Sequence, residues 1–386
     1  MNELFPNFSI VAVYHLGEYD SHMQLLYHDI KTLLDNKFND TPVEFRYNER
    51  LIFLHDDLDF FLSDETPGFT LYNLQLILRE LNIPNYFCTI ISNMPNYKNY
   101  TLAAQKMLTT EKIDINPISS LYFNICLTPL SSSVNLNVDS ITAPFIILSR
   151  QRRFHRTFFM SKIFNLGLQN KGLISYSNIN GCVPTQNVVR ANDVKLNLSV
   201  SLLTPIPFNK NNCNYALLKN HNNRQLVAEF SASVNNFKNF EEQVDLADKC
   251  LVSGYDNSPI QRGLLYVALE TTIVYPEVFL SGISFKGVVK KRPFVILGVP
   301  GTIKYLQQLG FKTFNAFWDE SYDQIDDFES RADAILNIIL YVSQLTPAEL
   351  VNLFNDMSDI LEYNFNHFCT TFLESEKANL LKSMTV

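Results

Sequence analysis

LLYVALETTIVYPEVFLSGISFKGVVKKRPFVILGVPGTIKYLQQLGFKTFNAFWDESYD, residues 264–323, decides the fold. LLYVALE (264–270) is a short apolar run ending in an acid, the pattern of a strand buried on both faces. PFVILG (293–298) repeats that pattern and closes in GVPG, a turn with two glycines. TIKYLQQLG (302–310) predicts a helix: Ile303, Leu306 and Leu309 share one face, and Gly310 is a C-terminal stop. FKTF (311–314) is expected to be a third short strand. Strand, glycine turn, helix and strand make a βαβ unit, and such units bind ligands beyond the carboxyl ends of their strands.

The Gly298–Gly301 turn has two readings. It is either an ordinary connection or a place where unpaired N–H groups and the helix dipole meet an anion such as a diphosphate. Gly301 and Thr302 stand at that helix start. Trp318, the single tryptophan, is followed by Asp319, Glu320, Tyr322 and Asp323. DESYD reads as a solvated helix cap or as acceptors for sugar or ribose hydroxyls.

Upstream, FIILS (145–149) reads as a strand running straight into Arg150, Arg152, Arg153, His155 and Arg156. This is the strongest local charge feature of an acidic chain. Guanidinium forks suit diphosphate geometry, and a strand's carboxyl end is where an α/β sheet binds ligands. The bland reading is a basic turn that neutralises nearby acids. FFMSKIFNLGL (158–168) is the following helix and LISYS (173–177) a strand. Residues 178–224 are rich in Asn, Pro and polar residues and read as an insertion. QLVAEFSA (225–232) is expected as a strand and FEEQVDLADKCLVSG (240–254) as a helix.

The first half alternates in the same way. FSIVAVY (8–14), RLIFLH (50–55) and YFCTIIS (86–92) read as strands, with helices over 21–35 and 71–81. A doubly wound α/β domain is expected. The acid run after His55 has a metal-binding reading and a solvated one. His15, His22 and His28 lack ligand spacing. After residue 325 the pattern turns helical, and Thr346, Pro347 and Glu349 mark a helix start.

With 386 residues, 46% of them hydrophobic, the chain can bury two ordinary cores. A net charge of −8 argues against a dedicated duplex-DNA binder. Six scattered cysteines form no CxxC or Cys/His pattern, so no metal site is expected and a reducing, cytoplasmic setting is. The first residues lack the pattern of a signal peptide, and no apolar run has the length of a membrane span.

Three blocks carry a resemblance: FTLYNLQLILRELNIPNYFCTIISN (69–93), FIILSRQRRFHRTFFMSKIFNLGLQNKGLISYS (145–177) and PFVILGVPGTIKYLQQLGFKTFNAFWDESYD (293–323). In this order they resemble a family of glycosyltransferases of phages, large viruses and some bacteria, over about residues 50–345. The C-terminal half is distantly similar to fucosyltransferase-like enzymes. In that family the residues before the PFVILG-type strand usually read Thr-Glu-Lys-Thr-aromatic-Lys-Pro, and the Glu-Lys pair resembles the donor-binding acid and base of fucosyltransferase-like enzymes. Here FLSGISFKGV (279–288) puts Gly282 and Ile283 at that pair. Phe285 and Lys286 fit, and Gly287 replaces the Pro. Glu270 and Glu277 are the nearest substitutes for the acid, and Lys286, Lys290, Lys291 and Arg292 for the cation. The same residues also read as plain surface charges.

The resemblance implies two Rossmann-like α/β domains facing a cleft, close to the glycosyltransferase-B architecture, with a helical C-terminal region. Expected boundaries are 1–140 (acceptor side), 141–345 (donor side, with the insertion) and 346–386 (helical). The implied activity moves a sugar from a UDP- or GDP-linked donor to an acceptor hydroxyl on a glycan, protein or modified DNA base, with no permanently bound cofactor. Arg150, Arg153, Arg156, Lys286, Gly301 and Thr302 would meet the donor phosphates. Asp319, Glu320, Tyr322 and Asp323 would meet sugar or ribose, with His155 and Glu270 as catalytic candidates. A catalytically inactive homologue acting as a binding or structural protein is the alternative, favoured by Gly282–Ile283. A phage transferase acting on hydroxymethylated DNA bases is a further one.

Overall fold

The computed structural model describes residues 9–15, 23–38, 49–55, 69–84, 87–92, 118–119, 141–152, 154–180, 221–234, 236–238, 259–270, 273 and 278–384. Arg153, Glu277, His22, the acid run after His55, most of the 178–224 insertion and the helix expected at 240–254 lie outside them. The chain is α/β with a helical C-terminal region. It divides into two compact units, 1–123 with 183–212 and 377–386, and 124–182 with 213–376.

In the first unit, β1 (Ser9–His15), β2 (Glu49–His55), β3 (Cys88–Ser92) and β4 (Ile118–Ser119) form a parallel sheet in sequential order. Helices α1 (Met23–Phe38) and α2 (Phe69–Glu80) make the first two crossovers and touch each other. This corrects the doubly wound expectation for the described strands. The order advances in one direction, so right-handed crossovers keep α1 and α2 on one face. Leu26, Ile30 and Leu34 of α1 and Leu74, Ile77 and Leu78 of α2 are buried, as the helical period requires.

The second unit is built on five strands in the order β7-β6-β5-β8-β9. They are β5 (Ala143–Arg152), β6 (Leu173–Asn180), β7 (Asn236–Lys238), β8 (Gly263–Leu269) and β9 (Phe294–Leu297). All pairs are parallel except β6 with β7. The chain leaves β5 through α3 (Phe154–Asn165) toward β6 on one side. It later enters β8 on the other side of β5 and continues through α5 (Gly282–Val289) to β9. The strand order therefore reverses at β5 and β8. Right-handed crossovers in opposite directions put α3 and α5 on opposite faces. Every residue of β8 and β9 is buried, which is why both read as continuous apolar runs. Each large apolar side chain so buried contributes about 1.5–3 kcal/mol.

Two expected strands are absent. Residues 225–232 belong to helix α4 (His221–Ser233). Val227 and Phe230 are buried while Gln225, Ala228 and Glu229 are exposed, a period of three to four and not two. Phe230 packs on Phe164 of α3 and Tyr176 of β6, with ring centroids 5.0 and 5.4 Å apart. Residues 311–314 are in no strand and pair with none among the described residues. The Lys312 N–H donates to Asn364 Oδ1, and Asn364 Nδ2 donates to the Lys312 carbonyl, both at 2.8 Å. The Phe314 N–H donates to Glu320 Oε1 at 2.8 Å. Side chains do the work of a neighbouring strand.

The remaining helices are α6 (Thr302–Gln308), α7 (Phe328–Val342), α8 (Pro347–Asp356), α9 (Ser358–His367) and α10 (Leu373–Met384). A π-helical turn, Phe368–Phe372, joins the last two. Helix α7 packs on β5 and β9, and Lys162 of α3 pairs with its Asp333 at 2.5 Å. Phe368 and Phe372 pack on Phe285 of α5. Thr346 and Glu349 form the expected capping box, with Pro347 in the first turn of α8. Among the described residues no single helix is long and apolar enough to cross a membrane.

Candidate functional site at the carboxyl edge of the second sheet

In open α/β sheets the crevice forms where strand order reverses, at the carboxyl ends of the strands. Here that point lies between β5 and β8. Strand β5 carries Arg150 and Arg152 in its last positions, beside the end of β6: Arg152 pairs in register with Asn180. Strand β8 delivers Glu270.

Glu270 is fully buried and is the hub of the edge. Its N–H donates to the Leu297 carbonyl of β9 at 3.0 Å. Its carbonyl accepts from His155 Nε2 at 2.8 Å and from Arg156 Nε at 3.3 Å. A carbonyl only accepts, so the His155 proton sits on Nε2. The ring is fully buried, with Phe328 of α7 against it edge-on. His155 and Arg156 thus brace the end of β8 from the start of α3. Sequence reading gave both of them to catalysis or phosphate.

The Glu270 carboxylate reaches the start of α5. Oε1 accepts from the Ser281 N–H and Ser281 Oγ, both at 3.0 Å, and from Ser284 Oγ at 2.5 Å. Ser281 Oγ in turn accepts from the Ile283 N–H at 3.1 Å and caps the helix. Gly282 and Ile283, the positions of the expected Glu-Lys pair, are therefore the first residues of a helix whose N-terminus already holds a carboxylate. Ser281 and Ser284 were missed by sequence reading. Their signal is the SGIS run, in which Ser281 suits a helix N-cap.

The start of α6 is sealed in the same way. Gly301 has φ 86°, a left-handed turn that favours glycine. Its N–H donates to the Asp323 carbonyl at 2.8 Å. The N–H groups of Ile303 and Lys304 donate to the two oxygens of the Asp323 carboxylate at 2.8 and 3.0 Å. Thr302 Oγ1 donates to the Val299 carbonyl at 2.6 Å. The Gly301 N–H and the Thr302 hydroxyl are met by main-chain carbonyls, and the Asp323 carboxylate takes the next two N–H groups of the helix start. Gly298 lets these parts approach: a Cβ there would lie 2.8 Å from Thr302 Oγ1 and 3.6 Å from Glu270 Cγ.

The other acids of DESYD are also engaged. Asp319 is exposed and accepts from the Ser321 N–H and Oγ, which hold its carboxyl below the usual range. Burial pushes Glu320 and Asp323 above it, although backbone N–H bonds oppose both. Tyr322 is buried, and burial raises its phenol well above the usual range, with Glu320 adding to the rise.

The cations after β8 are not the surface charges of the bland reading. Lys286, Lys290, Lys291 and Arg292 are all buried. Lys291 pairs with Glu362 of α9 at 2.7 Å and lies 4.6 Å from the Phe365 ring centroid. Arg292 lies 4.7 Å over Phe354 of α8, and burial lowers its pKa to about 10. Lys290, Lys291 and Arg292 precede β9, so they stand at the amino end of the sheet, opposite the crevice. Lys286 is one turn into α5 and is the nearest of the four to Glu270 in the chain.

Among the described residues no group of His, Cys, Asp and Glu has the arrangement of a metal site. Comparison of the chain with protein-family models and with curated proteins gives no match.

Proposed function

We propose that this chain is a glycosyltransferase whose nucleotide-sugar donor binds at the carboxyl edge of the second sheet, between β5 and β8. The observation that carries the reading is the reversal of strand order at β5, the strand that ends in Arg150 and Arg152. The sugar-transfer step rests on the three resembling sequence blocks. Two Rossmann-like halves of the glycosyltransferase-B kind are part of the same proposal.

In this reading the helix starts are not the main hold on the diphosphate, because the Glu270 carboxylate accepts from the Ser281 N–H at the start of α5 and the Asp323 carboxylate from the Ile303 and Lys304 N–H groups at the start of α6. The positive charge comes from arginine side chains of the 150–153 segment. The acceptor oxygen bonds to the anomeric carbon as the bond from that carbon to the diphosphate oxygen breaks. The diphosphate leaves with the electron pair, its charge met by guanidinium groups. The acceptor's proton passes to a carboxylate or to solvent. His155 and Arg156 hold the edge in shape.

The Gly282–Ile283 departure, inside a helix already closed by Glu270, favours a second reading: a homologue that binds a nucleotide ligand without turnover. One experiment separates them. The protein is incubated with UDP-, GDP- and CMP-linked sugars and a panel of hydroxylic acceptors, and release of free nucleotide is followed. Release that falls at least tenfold in Arg150→Ala supports the transferase. Binding without release from any donor supports the second reading, and neither binding nor release rejects both.

A further inference from the structure

The second sheet divides where strand order reverses. β5 pairs with β8 from Ala143↔Gly263 to Ile147↔Val267 and, among the described residues, no further. Past that point β5 runs on beside β6 as far as Arg152↔Asn180, and β8 beside β9 as far as Leu269↔Leu297. Residues 148–152 of β5 and 268–269 of β8 are thus the two lips of the division, and Glu270 follows the second. The β5 lip is also irregular. Ser149 pairs with Tyr176 but Gln151 with Ile179, so the step from 149 to 151 matches the longer step from 176 to 179, and Arg150 lies in the slip. Such irregularities gather beside functional sites, where they re-aim a side chain or end a pairing.

The lip that carries Arg150 and Arg152 therefore has a slipped ladder on its β6 side and none on its β8 side. Its place depends on other contacts, and His155 supplies one. His155 stands in the first turn of α3, just after β5. Its Nε2–H donates to the carbonyl of Glu270, just after β8, at 2.8 Å. That bond joins the two lips beyond the point where their ladder stops. Arg156 adds a longer bond to the same oxygen, at 3.3 Å. The His155 ring is fully buried, with Phe328 edge-on at 6.4 Å, so the donor has a fixed direction.

Resting on the donor reading above, we infer that His155 is the positioning residue of that site. By tying the start of α3 to the end of β8, it holds the arginine lip of β5 in place for a diphosphate. Groups placed before the ligand arrives need not be ordered by it, and the ordering cost is taken off the affinity. His155 itself touches no ligand: its one donor that faces the division is spent on the Glu270 carbonyl.

Binding of UDP and GDP is measured by calorimetry in wild-type protein, Arg150→Ala, His155→Leu and His155→Gln, at a temperature where each is folded. Leucine removes the donor, and glutamine carries an N–H at similar reach. The expected result is a Kd raised about tenfold or more in His155→Leu, the cost of one lost hydrogen bond passed on to the ligand, and largely restored in His155→Gln. A role in stability alone would lower the Tm of His155→Leu and leave the Kd of the folded protein where it was. That result overturns the inference, and so does a His155→Gln protein that binds as weakly as His155→Leu. Neither touches the donor reading, which stands while the wild-type protein binds and Arg150→Ala does not. A wild-type protein that binds neither nucleotide overturns both. If His155→Leu does not fold, His155→Asn, whose donor is set back by one methylene, takes its place with the same expectation.

Discussion

Glu270 joins three elements through one residue: its N–H to β9, its carbonyl to α3 and its carboxylate to α5. Three donors converge on one buried oxygen, and hydrogen bonds to a charged group are worth more than neutral ones. Glu270→Gln keeps the shape but loses the charge. It is expected to cost about 1.5–3 kcal/mol, read from the urea midpoint. Titration gives a second test at this scale, with opposite signs for two kinds of carboxylate. The Glu320 carboxyl is raised, first by burial, so the folded protein holds its proton more tightly than the unfolded chain. The stability it contributes is full below the ordinary glutamate value of 4.5 and is lost as pH rises through the raised one. Glu349 and Asp327 are lowered by backbone N–H bonds to their carboxylates. Their stability is full above the unfolded values and is lost as pH falls through the folded ones. Urea midpoints measured against pH should therefore flatten on the acid limb in Glu349→Gln. They should flatten in the window just above pH 4.5 in Glu320→Gln.

At the scale of elements, the backbone of residues 309–312 is held by side chains of α9. His367 Nε2 donates to the Leu309 carbonyl at 2.8 Å, Tyr363 Oη to the Gly310 carbonyl at 3.2 Å, and Asn364 bonds both backbone groups of Lys312. Asn364→Ala leaves the last two without that partner and should cost about 1–3 kcal/mol. Gly310→Ala should also destabilise, because φ is +91° and a Cβ would lie 2.8 Å from the His367 ring. Both are read from unfolding midpoints. The same segment shows where sequence reading stops. FKTF reads as a strand because it follows a glycine-ended helix in a βαβ order, and Phe311 and Phe314 are indeed buried. Its pairing partner is a side chain more than fifty residues away, which no local pattern encodes. QLVAEFSA was misread for a different reason: its apolar residues fit both periods over so short a window. β8, β9 and α6 were legible because a fully buried strand and a glycine-bounded helix each leave a local signature.

At the scale of the whole molecule, the alternation of strands and helices announced an α/β protein, and both sheets confirm that class. The reversal of strand order at β5 is a long-range fact that no segment states by itself, and the proposed donor site rests on it. The candidate residues divided for a related reason. Burial and partners separate a brace from a binding group, and neither is written in the spacing of RQRRFHR or DESYD. His155 and Arg156 are bonded to Glu270, while Thr302 and Asp323 close the start of α6; Arg150, near the end of β5, is the arginine on which the proposed reading rests. The proposed function has a nucleotide diphosphate bind at this edge through arginine and not through helix starts. Thermal shift with UDP, GDP and CMP, and with their sugars, in wild-type protein and Arg150→Ala, tests it most directly. The expected result is a Tm rise with one nucleotide class, about 2.7 kcal/mol of stabilisation at a hundredfold excess over Kd, lost in Arg150→Ala. A folded wild-type protein that no nucleotide stabilises, or a rise undiminished in Arg150→Ala, would contradict it.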